Sequence, residues 1–326
     1  SILICAKNEA ENLKTFLPYI INQDYPEFEV VLINDDSHDD TLEIMESFAN
    51  QHDHVKIVNV AHNEAFSSNK KYALTLGIKA SKHDFLLHTD ADCKPNSKYW
   101  LKEMSSHFSN TKSIVLGYGA YSKTSNSFLN KLIRFETVLT AIQYFSYSIA
   151  GIPFMGVGRN LAYRKDEFFN ANGFQNHMQI PSGDDDIFIN QVATKNNTAI
   201  CFTKNSFTIS NPKTSIRSWL TQKRRHISTA RHYQLKHKAL LTLFFISQFL
   251  FWILSLILLI SLFNWQITFV LISIRFILFY IMFIPTLKKL DEKDLAIFLP
   301  FLEFFLIAAQ LAIFMTNLIT KPKHWK

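Results

Sequence analysis

Asp90 and Asp92 stand one residue apart and close the apolar run Phe85-Leu86-Leu87-His88-Thr89, which reads as a buried strand. Carboxylates at a strand end can present hard oxygen ligands to a divalent cation, and such a cation neutralises a diphosphate. A lone Asp-x-Asp pair also occurs on ordinary surfaces, so its weight depends on its companions. Asn34-Asp35-Asp36-Ser37-His38-Asp39 follows another apolar run. Its carboxylates could accept hydrogen bonds from a base or ribose, or the segment could be a turn capping the next helix. Gly156-Val157-Gly158-Arg159-Asn160 supplies small residues that let backbone approach a ligand. Gly183-Asp184-Asp185-Asp186 precedes the helical pattern Ile187, Phe188, Ile189 and Val192. Three acids there suit a helix macrodipole, but crowded like charges also raise a carboxylate's basicity, as a general base requires. Gln222-Lys223-Arg224-Arg225-His226 lies on a basic helix, suited to lipid headgroups or to a diphosphate gripped by a planar guanidinium.

These clusters need a frame. Residues 1–6 form an apolar strand, followed by the turn Lys7-Asn8-Glu9 and a helix over about 10–22. Residues 29–33 form a second strand, and a helix begins at Asp40 or Thr41. Residues 55–60 are a third strand, 70–80 a helix and 85–89 the fourth strand. Strands alternating with crossover helices predict an α/β fold with a mainly parallel sheet covered on both faces. Ligands bind beyond the carboxyl ends of such strands. The polar clusters after strands one, two and four all fall at that edge.

Composition divides the chain. Hydrophobic residues make up 48% of 326, with Phe alone counting 30, and they concentrate after about residue 235. Residues 239–263 carry no charge over about 25 residues, enough to span a bilayer. Residues 265–284, interrupted by Arg275, and 295–318, containing Pro300 and Glu303, read as two further spans. A buried soluble helical bundle is the alternative. Arg275 and Glu303 are costly in lipid and could pair between helices. The net charge of +7 gathers in Lys223, Arg224, Arg225, Arg231, Lys236 and Lys238, just before the first span. That bias predicts a cytoplasm-facing soluble domain, while the basic tail Lys321, Lys323 and Lys326 leaves the later topology open. The charge lacks interleaved aromatics, which argues against nucleic acid. Three scattered cysteines give neither a disulfide framework nor a zinc pattern. The chain opens without Met directly on a strand, so a preceding segment, including an anchor, is an open expectation. Residues 128–154 are aromatic, with Lys131, Arg134 and Glu136 near their start; an interfacial helix is the preferred reading and a core helix the alternative.

Taken together, these motifs resemble the family 2 glycosyltransferases of GT-A fold, over residues 1–233 and in the family's order. The resemblance implies a GT-A-type sheet flanked by helices over 1–235, including the interfacial helix at about 128–154 and a juxtamembrane helix at about 215–238. A transmembrane bundle over 239–320 follows. Cys5-Ala6-Lys7-Asn8-Glu9 looks like the family's first nucleotide-binding loop, implying donor contacts from Ala6, Asn8 and Glu9. Asp35, with Asn34 where an Asp is usual, matches the acidic pair that contacts uracil or ribose. Lys70 resembles the lysine facing the donor; Gly158 and Asn160 are candidate substrate contacts from the small-residue segment noted above. Asp90-Ala91-Asp92 matches the D-x-D motif, with Asp92 the metal ligand and Asp90 assisting while also facing the donor. Asp184-Asp185 sits where the family has Glu-Asp, implying that Asp185 deprotonates the acceptor. Gln222 to His226 is similar to the Q-x-x-R-W motif of membrane-bound members, with Arg225 at the arginine position and His226 replacing Trp, which implies substrate contacts from Gln222 and Arg224 beside it.

The resemblance thus implies a membrane-anchored, inverting transferase. It would move sugar from a nucleotide-sugar, UDP or GDP, to a lipid, lipid-linked or glycan acceptor, using Mg2+ or Mn2+. A bacterial inner-membrane location with the catalytic domain facing the cytoplasm is the matching expectation. A processive polysaccharide synthase is the rival enzyme reading, disfavoured by His226 and the few spans. A non-catalytic nucleotide-binding membrane scaffold is the rival of another class, although none of the motifs is lost.

Overall fold

The computed structural model describes residues 1–60, 70–180 and 182–319; Asn69 and the basic tail lie outside them. The elements are β1 (Ile2–Ala6), α1 (Ala10–Ile21), β2 (Val30–Asp35), α2 (Thr41–Gln51), β3 (Val55–Val60), α3 (Lys70–Ala80) and β4 (Phe85–His88). Then come β5 (Cys93–Pro95), α4 (Trp100–Ser105), β6 (Ile114–Leu116), β7 (Gly119–Tyr121), α5 (Phe128–Ile149), β8 (Leu161–Arg164) and α6 (Lys165–Asn170). The remainder comprises α7 (Asp186–Val192), β9 (Thr198–Ile200), β10 (Thr208–Ser210), α8 (Ile216–Thr229), α9 (Leu235–Ile260), α10 (Trp265–Lys289) and α11 (Leu299–Ile319).

The chain forms two compact units: residues 1–122 with 143–212, and residues 123–142 with the helices from 213 onward. In the first, a seven-stranded sheet runs in the order β3-β2-β1-β4-β8-β6-β9. The four strands read from the sequence pair in parallel; β8 enters antiparallel between β4 and β6, and β9 runs parallel to β6. Central strands covered on both faces must be apolar throughout, and Val30, Val31, Leu32 and Ile33 are all fully buried. Each such side chain contributes about 1.5–3 kcal/mol by leaving water. One layer of the core joins Ile2, Ile4 and Leu32 to Leu13, Leu17 and Ile20 of α1, with Trp100 and Met104 of α4. A small second sheet, β5-β10-β7, follows the Asp-x-Asp segment and was not evident from the sequence.

The second unit holds three helices long and apolar enough to cross a membrane: Leu235–Ile260, Trp265–Lys289 and Lys293–Ile319. Their apolar side chains, among them Leu243, Leu254, Val270, Ile281 and Phe301, stand exposed, as a lipid-facing surface requires. Arg275 does pair with Glu303: its Nη1 donates to Oε2 at 2.7 Å. The guanidinium also lies 4.4 Å from the Phe251 ring centre and 4.8 Å from that of Phe279. The charge within this apolar helix is thus paired and wrapped in aromatics, as a membrane span would require. The polar residues at the start of α5 are paired within the same unit, Arg134 with Glu292 at 2.8 Å and Glu136 with Lys223 at 2.5 Å.

Candidate active site

β1, β2 and β4 end side by side, with Cys5 opposite Ile33 and Leu3 opposite His88. Their following loops therefore share one edge of the sheet. The first two loops are stitched together. Asn8, in the left-handed region at φ 55°, donates its N–H to Ser37 Oγ at 3.0 Å, and its Oδ1 accepts from the His38 N–H at 2.8 Å. Glu9 donates its N–H to Thr41 Oγ1 at 2.8 Å, and its carboxylate accepts from Asn12. Ala6 is buried at the end of β1. Asn34 is also buried, its amide donating to Asn59 Oδ1 at 2.8 Å while its own Oδ1 accepts from the Ser37 N–H. Asp35 is buried beside it; desolvation pushes its carboxyl up, and Lys7 opposes this.

Lys70, in the first turn of α3, joins the other two clusters. Its Nζ lies 3.1 Å from Asp90 Oδ1 and 3.0 Å from Asp184 Oδ2. Burial disfavours the ammonium, but Asp184 and Asp90 together hold it well above the usual lysine range. Burial likewise disfavours the Asp184 carboxylate, and the Lys70 charge and hydrogen bond outweigh it, leaving Asp184 below the usual range. Asp184 is therefore an ionised partner of Lys70.

Asp185 is in a different state. Gly183 turns the chain at φ +96°, and a Cβ there would come within 2.3 Å of Ile187 Cδ1, so only glycine admits this approach to α7. Asp185 then caps α7, accepting from the Asp186 N–H at 2.7 Å, while its Oδ2 accepts from the Gly158 N–H at 2.6 Å. Burial first, then the charges of Asp184 and Asp186, push its carboxyl up to about 7, against the pull of Lys70 and the Gly158 N–H. Two adjacent carboxylates with titrations driven apart suit one for charge pairing and the other for proton transfer. A small cleft of about 20 Å³ is lined by Lys70, Asp90, Gly158, Asp184 and Asp185, together with Cys5 and His88. A wider cavity of about 360 Å³ near Phe28, Phe85 and Phe108 is mostly apolar and lies at the amino-terminal ends of β1 and β4.

The residues around Asp92 fit a hard divalent cation. Ligand atoms of Asp90, Asp92 and Cys93 all lie within 4.8 Å of one another. Desolvation, then the Asp90 charge, raises the Asp92 carboxyl, a crowding that a cation relieves. Cys93 donates its thiol to Asp92 Oδ1 at 3.4 Å, and burial keeps that thiol protonated, so the carboxylates are the fitting ligands. Asn160 is fully buried: its amide donates to the Tyr118 and Ser206 carbonyls, and its Oδ1 accepts from Trp100 Nε1. Its side chain thus ties the residue leading into β8 to α4 and to the segments preceding β7 and β10. Gln222, Arg224 and Arg225 lie on α8 in the second unit, where Arg224 Nε donates to Asn317 Oδ1 of α11 at 2.9 Å.

Sequence reading gave no role to Arg159 or Lys71. Arg159 donates to the Gly119 and Ala120 carbonyls and to Ser210 Oγ, and its charge lowers the Asp92 carboxyl against the larger effect of burial. Its place inside the glycine-containing segment was the available signal. For Lys71 the signal was two successive cations at a helix start, where the macrodipole disfavours them.

A family model described as Glycosyl transferase family 2 matches residues 1–169. Among curated relatives, a poly-beta-1,6-N-acetyl-D-glucosamine synthase of Staphylococcus epidermidis is 36% identical over 92 residues, covering 28% of this chain and 21% of that protein. A cholesterol galactosyltransferase of Borreliella burgdorferi is 30% identical over 92 residues, covering 28% and 24%. Glycosyltransferase AglE of Haloferax volcanii is 31% identical over 119 residues, covering 36% and 38%. The matches thus span well under half the length of these relatives. In fold, the chain is similar to a mannosyltransferase, PcManGT of Pyrobaculum calidifontis, solved with GDP-Man and Mn2+. The TM-score is 0.55 at 18% identity, covering 71% of this chain and 61% of that one.

Proposed function

We propose, for a chain that belongs to glycosyl transferase family 2, an inverting transfer of a sugar from a nucleotide-sugar to a membrane-borne acceptor hydroxyl. The observation that carries the reading is the juxtaposition of Asp184, paired with Lys70, and Asp185, held by the Gly158 N–H, where burial and neighbouring acids push the Asp185 carboxyl up to about 7. In this proposal Asp185 takes the proton of the acceptor hydroxyl as its oxygen bonds to the anomeric carbon. The bond from that carbon to the diphosphate oxygen breaks on the opposite face, and the nucleoside diphosphate departs. In-line attack inverts the anomeric configuration. Gly158 holds the base through its N–H, and Lys70 keeps Asp184 ionised while aligning Asp90. Asp92 and Asp90 would hold Mg2+ or Mn2+, which when bound offsets negative charge on the leaving diphosphate. Asp35 and the loop of Ala6, Asn8 and Glu9 are assigned to the nucleoside, with Asn34 and Asn160 acting through the fold.

The three apolar helices favour an acceptor that resides in a bilayer, a lipid or lipid-linked glycan. They also favour a membrane enzyme, and the basic residues before α9 a cytoplasm-facing domain. The Mn2+-bearing mannosyltransferase of similar fold makes a manganese-supported donor a natural first trial, and the donor base, uridine or guanosine, is settled by assay. Asp185→Asn should bind donor with metal about as well as the parent chain yet lose transfer by on the order of 10²–10⁴. Asp92→Ala should lose metal-dependent donor binding. Full turnover by Asp185→Asn removes the base assignment, and undiminished metal dependence in Asp92→Ala removes the ligand assignment.

A further inference from the structure

Lys71 is 2% exposed, on α3 directly after Lys70. Its Nζ donates to three backbone carbonyls: His177 at 2.7 Å, Ser182 at 2.8 Å and Ile180 at 3.0 Å. An ammonium has three donors, and a buried one is tolerated only when they are met. Here all three reach one short segment, and that segment ends one residue before Gly183, the turn that delivers Asp184 and Asp185. Successive residues on a helix point about 100° apart. Lys70 accordingly reaches the acid side chains while Lys71 reaches the backbone leading into them.

We propose that Lys71 is a positioning residue for the transfer: it clamps the backbone at His177, Ile180 and Ser182 to α3 and so fixes Asp185 against the Gly158 N–H. The inference rests on the proposed role of Asp185 as base. Its physical content is that two adjacent lysines divide one task, Lys70 setting the charge of the acid pair and Lys71 its location. A methylene chain without the ammonium would leave three carbonyls to other partners and free the segment to shift. A base displaced by an ångström costs on the order of a hundredfold in rate without a matching loss of donor binding.

The test uses the full chain in lipid nanodiscs, with Lys71→Met, the milder Lys71→Gln and Asp185→Asn as control. Turnover is measured against donor concentration, and backbone hydrogen exchange is followed by mass spectrometry. Lys71→Met should lower kcat by roughly ten- to a hundredfold with donor KM within about threefold of the parent. Exchange should quicken in peptides covering 173–186 and stay unchanged in β1 and β2. Lys71→Gln, which keeps part of the donor set, should show the same pattern at smaller size, and it carries the test should Lys71→Met not fold. Unchanged kcat despite faster local exchange overturns the inference, as does a loss that tracks exchange throughout the sheet. If Asp185→Asn turns over normally, the base assignment fails instead; if it is inactive while Lys71→Met is fully active, only the Lys71 inference falls.

Discussion

The titration of Asp185 predicts the acid limb of the pH profile. Burial and the charges of Asp184 and Asp186 push this carboxyl up to about 7. A base must be deprotonated, so activity is present above about 7 and lost as pH falls through it. With one proton involved, kcat/KM should be about 9% of its plateau at pH 6 and about 1% at pH 5. An ordinary aspartate, near 3.9, would leave more than about 90% active even at pH 5. The assay is initial-rate release of nucleoside diphosphate at subsaturating substrates, because kcat/KM reports the carboxyl of the unliganded site. The limb belongs to the coupled pair, and Lys70 assigns the lower titration to Asp184. The same shift has a stability counterpart. A carboxyl raised in the fold contributes stability below its unfolded value, and that contribution is lost as pH rises through about 7. A flat profile down to pH 5 would refute the reasoning.

Three further outcomes follow from the geometry. Gly158→Ala puts a Cβ 3.2 Å from Asp185 Oδ2, so turnover should fall by roughly tenfold or more while the melting temperature changes little; parent-like turnover would show that the base tolerates displacement. Arg275→Leu leaves buried Glu303 without its partner and should destabilise the helices by about 3–5 kcal/mol, read from detergent unfolding. The double variant Arg275→Leu/Glu303→Leu should recover most of that loss, and its failure to do so would separate the pair's role from neutralisation. The product's anomeric configuration, read by NMR on a single turnover, should be opposite to that of the donor, and retention would exclude direct attack.

The parallel half of the sheet was legible because β1, β2 and β4 are apolar runs ended by polar clusters, and their carboxyl ends then had to share an edge. The three long apolar helices were legible from composition, since residues 239–263 run uncharged for the length of a bilayer span. β8 was harder: four residues, Leu161–Arg164, set antiparallel by long-range pairing with β4 and β6 that no local pattern records. The three-stranded sheet of β5, β10 and β7 likewise joins three-residue strands far apart in sequence, Thr208 pairing with Gly119 and with Pro95. At the site, the meeting of Lys70 with Asp90 and Asp184 was anticipated only as separate motifs. The resemblance pointed to Asp185 as the base, but which of the two carboxylates Lys70 reaches could not be read from local sequence. Asn160, a candidate contact through its place in the glycine-containing segment, makes three buried hydrogen bonds within the fold that no local pattern records.

The most direct test incubates the purified chain in lipid with a panel of sugar nucleotides, with and without extracted membrane lipids, and measures nucleoside diphosphate released and sugar attached. The account predicts that one donor is consumed in a divalent-cation-dependent reaction, stimulated by the lipids, with sugar recovered on a lipid-soluble product and no reaction by Asp185→Asn. Failure of every sugar nucleotide to react in the presence of those lipids and Mn2+, or equal release by Asp185→Asn, would contradict it.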